Sequence, residues 1–154
     1  MRVYVRNTTR RYAVNLRTLK RAAHDIVAAV APAQASVSLS LVGDAAIRRL
    51  NRDYRGKDRT TDVLSFGTGR SLSRRKGGRG RAREHPLGDV VISVDTARRQ
   101  AAAYGATLEA ELRRLLIHGV LHLMGHDHER AGDAARMRAQ ERRLARLIGL
   151  PWPY

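Results

Sequence analysis

The sequence predicts an α+β fold, a single domain in which a small four-stranded sheet packs with about five helices. Segments whose apolar and polar residues alternate with period two, the mark of half-buried strands, intermix with segments whose apolar residues recur at helical spacing. The two kinds do not follow a strict strand-helix-strand repeat. The 154 residues carry no internal repeat and no linker, and one domain of that size buries its own core without disulfides.

In order, RVYVRN (2–7) alternates valine and tyrosine with arginine and asparagine and reads as the first strand. NLRTLKRAAHDIVAAVA (15–31) has the helical period, and ASVSLSLVG (35–43) returns to period two. Asp44 is the expected N-cap of a helix over AAIRRLNRDY (45–54), and TDVLSF (61–66) is a short third strand. Residues 67–86 are expected to form a flexible basic loop, rich in glycine and nearly devoid of apolar residues. LGDVVISVD (87–95) reads as the fourth strand and TARRQAAAYG (96–105) as a helix stopping at glycine. TLEAELRRLLIHGVLHLMG (107–125) starts on a threonine cap and ends at Gly125, and the segment 129–149 gives a last helix closed by Gly149 and Pro151.

Thirty Lys+Arg against fourteen Asp+Glu leave a formal charge of +16, most of it arginine. Such a field attracts polyanions, and the planar fork of arginine suits phosphate oxygens, so nucleic acid is the expected partner. A GC-rich genome would favour arginine over lysine, but that choice does not create the excess of charge. The first residues lack the apolar core of a signal peptide and no run approaches the roughly 18 residues of a membrane span. A cytoplasmic protein with no membrane partner, and a monomer, is expected.

Six histidines are present, and four of them, His118, His122, His126 and His128, fall within HGVLHLMGHDH (118–128). Residues four apart on a helix project from one face, so His118 and His122 can share one metal ion. Glycine at 125 turns the chain off the helix and lets His128 return as a third ligand. Three imidazoles leave a fourth position for water, the arrangement of a catalytic zinc, and with no cysteine in the chain a thiolate cannot take part. One Zn²⁺ at the end of a helix is the expected cofactor. His126 reads as a supporting or surface residue.

The spacing, with glycine three after the second histidine, equals that of the metzincin proteases, H-E-x-x-H-x-x-G-x-x-H, except that Gly119 stands where those enzymes carry the glutamate base. Peptide hydrolysis loses its usual proton carrier here. Asp127, Asp89 and Asp62 are candidate carriers, none assigned, because aspartates in such positions commonly serve turns and caps.

HGVLHLMGHDH resembles the signature H-G-x-L-H-L-x-G-Y/H-D-H of the bacterial YbeY endoribonucleases. LNRDYRGKDRTTDVLSF (50–66) and LGDVVIS (87–93) match the same family in the same order, so the likeness spans about residues 36–129. The resemblance implies a mixed sheet with the metal at the end of a cleft. It implies a metal-dependent, single-strand-specific endoribonuclease that matures pre-rRNA, including the 3′ end of 16S rRNA, and acts in ribosome quality control on the small subunit. It also implies metal ligation by His118, His122 and His128 and places Arg55, the arginine of the YRG stretch, in the catalytic cleft.

This chain has Gly67 where the family commonly has proline, and its following loop is strongly basic. Arg70, Arg74, Arg75, Lys76, Arg79, Arg81 and Arg83 of that loop are the expected contacts to RNA backbone, and Tyr54 is the aromatic best placed to stack on a base. Two other functions compete. One is a non-catalytic ribosome assembly factor with a structural metal; the other is a metalloprotease-like hydrolase.

Overall fold

The computed structural model describes residues 1–68, 84–127 and 129–151. The basic residues 70–83 and His128 lie outside the described residues. The elements in chain order are β1 (Arg2–Asn7), α1 (Leu16–Val30), β2 (Ala35–Val42), α2 (Asp44–Arg55), β3 (Val63–Gly67), β4 (His85–Ser93), α3 (Val94–Tyr104), α4 (Leu108–Leu123) and α5 (Ala131–Leu147). The sheet order is β1-β2-β4-β3, parallel across β1, β2 and β4 and antiparallel between β4 and the edge strand β3. The α+β reading with a mixed four-stranded sheet and five helices stands.

Period-two alternation decides which helices cover which face. Val37, Leu39 and Leu41 of β2 and Val90 and Ile92 of β4 point into the main core, where they meet α1, α4 and α5 through Leu19, Ile26, Leu115, Leu116, Met137 and Leu144. Val42, Leu64 and Val91 point to the opposite face and pack under Ile47 of α2. On β3 this leaves Val63 and Ser65 toward α4, with Leu64 and Phe66 toward α2. The functional side chains therefore approach β3 from both faces.

Three sequence expectations need correction. Gly67, His85 and Pro86 belong to β3 and β4, so the segment expected as a loop over 67–86 is strand at both ends. Pairing of β3 with β4 closes there on Gly67 opposite Gly88, and a Cβ on Gly88, with φ of 140°, would stand 2.1 Å from the Phe66 carbonyl oxygen. The fourth strand ends at Ser93 rather than 95, because the Ser93 hydroxyl accepts from Thr96 N–H (3.2 Å) and opens α3 at Val94.

Asp44 is not an N-cap. Gly43, extended at φ −91° and ψ 173°, precedes α2, and Asp44 is its first helical residue. The reason is an exchange of carboxylates between two helix starts. Asp95 accepts from the Asp44 N–H at 2.9 Å, while the Asp44 carboxylate accepts from the Ser93 and Thr96 hydroxyls (2.7 Å each) and from Arg99 (2.8 Å). Burial pushes the Asp44 carboxyl up, but the hydrogen bonds from Ser93, Thr96 and Arg99 outweigh it and hold the group below the usual aspartate range.

Candidate functional site

α4 carries the first half of the site. The Thr107 hydroxyl caps it by accepting from Ala110 N–H at 3.1 Å, and its buried Leu112, Leu115 and Leu116 seat it in the core. The final turns hold His118 and His122 one helical turn apart, with their Nε2 atoms 3.0 Å apart and their ring centroids 4.6 Å apart. Gly125, at φ 87°, turns the chain off, and the His126 N–H reaches back to the Leu121 carbonyl at 3.0 Å. His126 thus serves the helix exit through its backbone.

Glu141 of α5, which sequence reasoning passed over, completes the histidine pair. Its Oε1 lies 2.8 Å from His118 Nδ1, and the residue is only 8% exposed. A signal for it was present. Met137, Glu141, Leu144 and Ala145 are the buried residues of α5, so a carboxylate interrupts an otherwise apolar helical stripe. Such a group stays buried only with a partner.

Gly119 acquires a structural reason. A Cβ there would meet Val90 Cγ1 at 2.6 Å, Ser65 Oγ at 3.2 Å and Val63 Cγ2 at 3.3 Å, so α4 sits on the sheet at a distance only glycine permits. That face of the helix packs on the strands β3 and β4. A glutamate at 119 would have no room, and the protease geometry does not fit this chain.

The facing wall comes from α2 and the segment after it. Asn51, buried, donates from Nδ2 to the Arg59 carbonyl at 2.9 Å and its own carbonyl accepts from Lys57 N–H at 3.2 Å, while Arg48 and Asp58 pair at 2.8 Å. This strapping presents Arg55, Lys57 and Arg59 along one cleft of about 820 Å³, into which His118 and His122 also open. Lys57 and Arg59 have no carboxylate partner among the described residues. Arg55 donates to the Ser65 carbonyl at 2.6 Å and its guanidinium carbon lies 5.5 Å from the centre of the Phe66 ring. The Ser65 hydroxyl in turn donates to the Gly119 carbonyl at 2.9 Å. One residue of β3 therefore ties both walls together.

Of the three aspartates considered as proton carriers, Asp62 lines this cleft, but it accepts from Val63 N–H at 2.8 Å and from Gln100 at 3.2 Å. Asp127 accepts from Glu129 N–H at 3.3 Å, and Asp89 stands exposed on β4 opposite Phe66. Tyr54 is 71% exposed and packs edge-on to Phe66 at 5.5 Å.

The two described imidazoles have the spacing that a shared divalent metal needs. Two nitrogens bound at 2.0–2.1 Å with near-tetrahedral geometry stand about 3.3 Å apart, close to the 3.0 Å between the two Nε2 atoms. A carboxylate on the far ring nitrogen is the usual support of a metal-binding histidine. Among the described residues no group of three or more His, Cys, Asp or Glu could hold a metal ion, and His128, the expected third ligand, lies outside them. The expected backbone contacts Arg70, Arg74, Arg75, Lys76, Arg79, Arg81 and Arg83 lie outside them as well.

Fold and cleft together define a class, a small α+β protein with a carboxylate-supported imidazole pair facing a row of cations across one cleft. The sequence model of the family Endoribonuclease YbeY matches residues 4–149, and the chain belongs to that family. An Endoribonuclease YbeY of Geobacter sulfurreducens is 41% identical over 150 residues, covering 96% of each chain. One from Myxococcus xanthus is 60% identical over 108 residues, which is 70% of this chain but only 35% of that relative's length. The solution structure of TM1509 from Thermotoga maritima shares the fold, with a TM-score of 0.62 at 22% identity over 96% of this chain and 89% of that one.

Proposed function

We propose that this protein is a zinc-dependent endoribonuclease that cuts single-stranded RNA during ribosomal RNA maturation, including the 3′ end of 16S rRNA, and in quality control of the small ribosomal subunit. The observation that supports the reading is the shared cleft, lined by Arg55 and the His118–His122 pair, with Ser65 bonded both to Arg55 and to Gly119 of the helix that carries the two histidines. His118, His122 and, by its spacing in sequence, His128 would hold the metal. When bound, zinc supplies Lewis-acid polarisation of a phosphoryl oxygen and activation of water.

The chain's own groups supply the rest. Arg55, Lys57 and Arg59 attract the phosphate backbone along the cleft wall. Arg55, held by a strand carbonyl and the Phe66 ring, presents a fork suited to the charge that grows on phosphate oxygens during cleavage. Glu141 keeps the His118 proton on Nδ1 and thereby leaves the Nε2 lone pair toward the cleft. The exposed Tyr54 offers a face for a base at the outer edge. Neither competing reading has a comparable feature, and Gly119 argues directly against the protease. No helix among the described residues is long and apolar enough to cross a membrane; we take the enzyme to work as a cytoplasmic monomer.

The test pairs metal analysis of purified protein with cleavage of a single-stranded RNA, with and without His122→Ala. The wild type should hold about one zinc per chain and cut; the folded variant should lose both. Cleavage retained by the metal-free variant refutes the mechanism.

A further inference from the structure

α5 buries one side and leaves a line of positive charge on another. Arg138, Arg142 and Arg146 are exposed and follow one another at four-residue spacing, about 6 Å of rise per step. None of the three has a carboxylate partner among the described residues; Arg136 pairs with Asp133, and Glu141 is turned inward to His118. Like charges at this spacing destabilise a helix, and no acid stands three or four places away on the outer face to offset them. The favourable end of the helix dipole covers Arg146 alone, since Arg138 and Arg142 lie upstream of the last turn.

The position of the stripe is fixed by the helix. Successive residues turn by about 100°, so Arg138, Arg142 and Arg146 lie about 60°, 100° and 140° round from Glu141, all on the same side. Glu141 touches His118. The stripe therefore runs down one flank of the helix whose Glu141 supports the site, starting about 60° round from that contact and turning away from it toward Arg146.

We propose that this stripe is a second contact for RNA backbone, which holds a substrate longer than the cleft along α5. It rests on the endoribonuclease reading for its partner but on separate residues for its binding. Arginines about 6 Å apart along one line can each meet a different phosphate, and the contact carries no base preference.

The test is the triple variant Arg138→Gln, Arg142→Gln and Arg146→Gln, chosen because glutamine removes the charge while keeping the helix propensity and a polar side chain. Binding to a long single-stranded RNA and to a short oligonucleotide is followed against salt, alongside cleavage of the short one. The variant should lower the salt slope on the long RNA by about 2, near 0.7 for each of three phosphates, and bring its affinity down to that of the short oligonucleotide. Cleavage of the short one should stay at the wild-type rate. An unchanged slope and a retained advantage for the long RNA overturn the proposal, the result also expected if the stripe serves an acidic protein. A wild type that binds the long RNA through these arginines yet cuts nothing would refute the nuclease reading and leave the stripe standing.

Discussion

Replacing Glu141 separates the support of the metal site from the stability of the fold. Glu141→Leu removes the acceptor that lies 2.8 Å from His118 Nδ1 and puts an apolar side chain of similar volume where the carboxylate's side chain is 11% exposed. Without the carboxylate, His118 can place its proton on either nitrogen, and one of the two tautomers withdraws the Nε2 lone pair. Loss of such a partner lowers metal affinity 10–100-fold, or about 1.4–2.7 kcal/mol. The upper end is expected here, because leucine offers no acceptor in place of the carboxylate. Glu141→Gln keeps a neutral oxygen at the same reach and should fall at the lower end. Folding stability of the metal-free protein should fall by no more than about 1–3 kcal/mol, the cost of leaving a hydrogen-bonding group without its partner, because the His118 side chain is 27% exposed and water can reach the nitrogen that Glu141 leaves. Competition with a chromophoric zinc chelator reads the affinity, and thermal melting of the metal-free protein reads the fold. A folded Glu141→Leu protein whose zinc affinity lies within twofold of wild type would show that the contact is merely structural.

Gly119→Ala should destabilise the protein by about 1–3 kcal/mol, because the new Cβ meets the β-branched Val90 at 2.6 Å in a buried contact with no flexible end to give way; the urea midpoint measures it. Asp44 predicts the acid limb of stability. Its folded-state pKa is depressed, so its contribution is present above the unfolded value, near 3.9, and is lost as pH falls through the folded one. The stability gap between wild type and Asp44→Asn should hold steady at pH 5–7 and close below about pH 4; a gap independent of pH down to 2.5 contradicts the hydrogen-bond network as its source.

The parts of the fold governed by local pattern were legible. Period two and helical period placed all four strands and five helices within a few residues, and the two faces of β2 and β4 follow from which alternate residues are apolar. The histidine pair was legible too, because i and i+4 on a helix fixes the geometry without tertiary information. Contacts between distant segments were not. Asp44 looked like a cap because nothing near it in sequence shows that Ser93, Thr96 and Arg99 converge on its carboxylate. Gly119 could be read only for the side chain it lacks, and its packing on Val90 needed the helix seated on the sheet. Glu141 lies 23 residues from His118, and only the break in the apolar stripe of α5 hinted at it.

Ser65 uses its two halves in different directions, the hydroxyl toward α4 and the carbonyl toward Arg55. The gap between guanidinium and imidazoles is thus gauged by a single residue of an edge strand. The reach from arginine to histidine depends on Ser65 keeping both of its bonds. One residue works as a calliper between the two walls of the cleft.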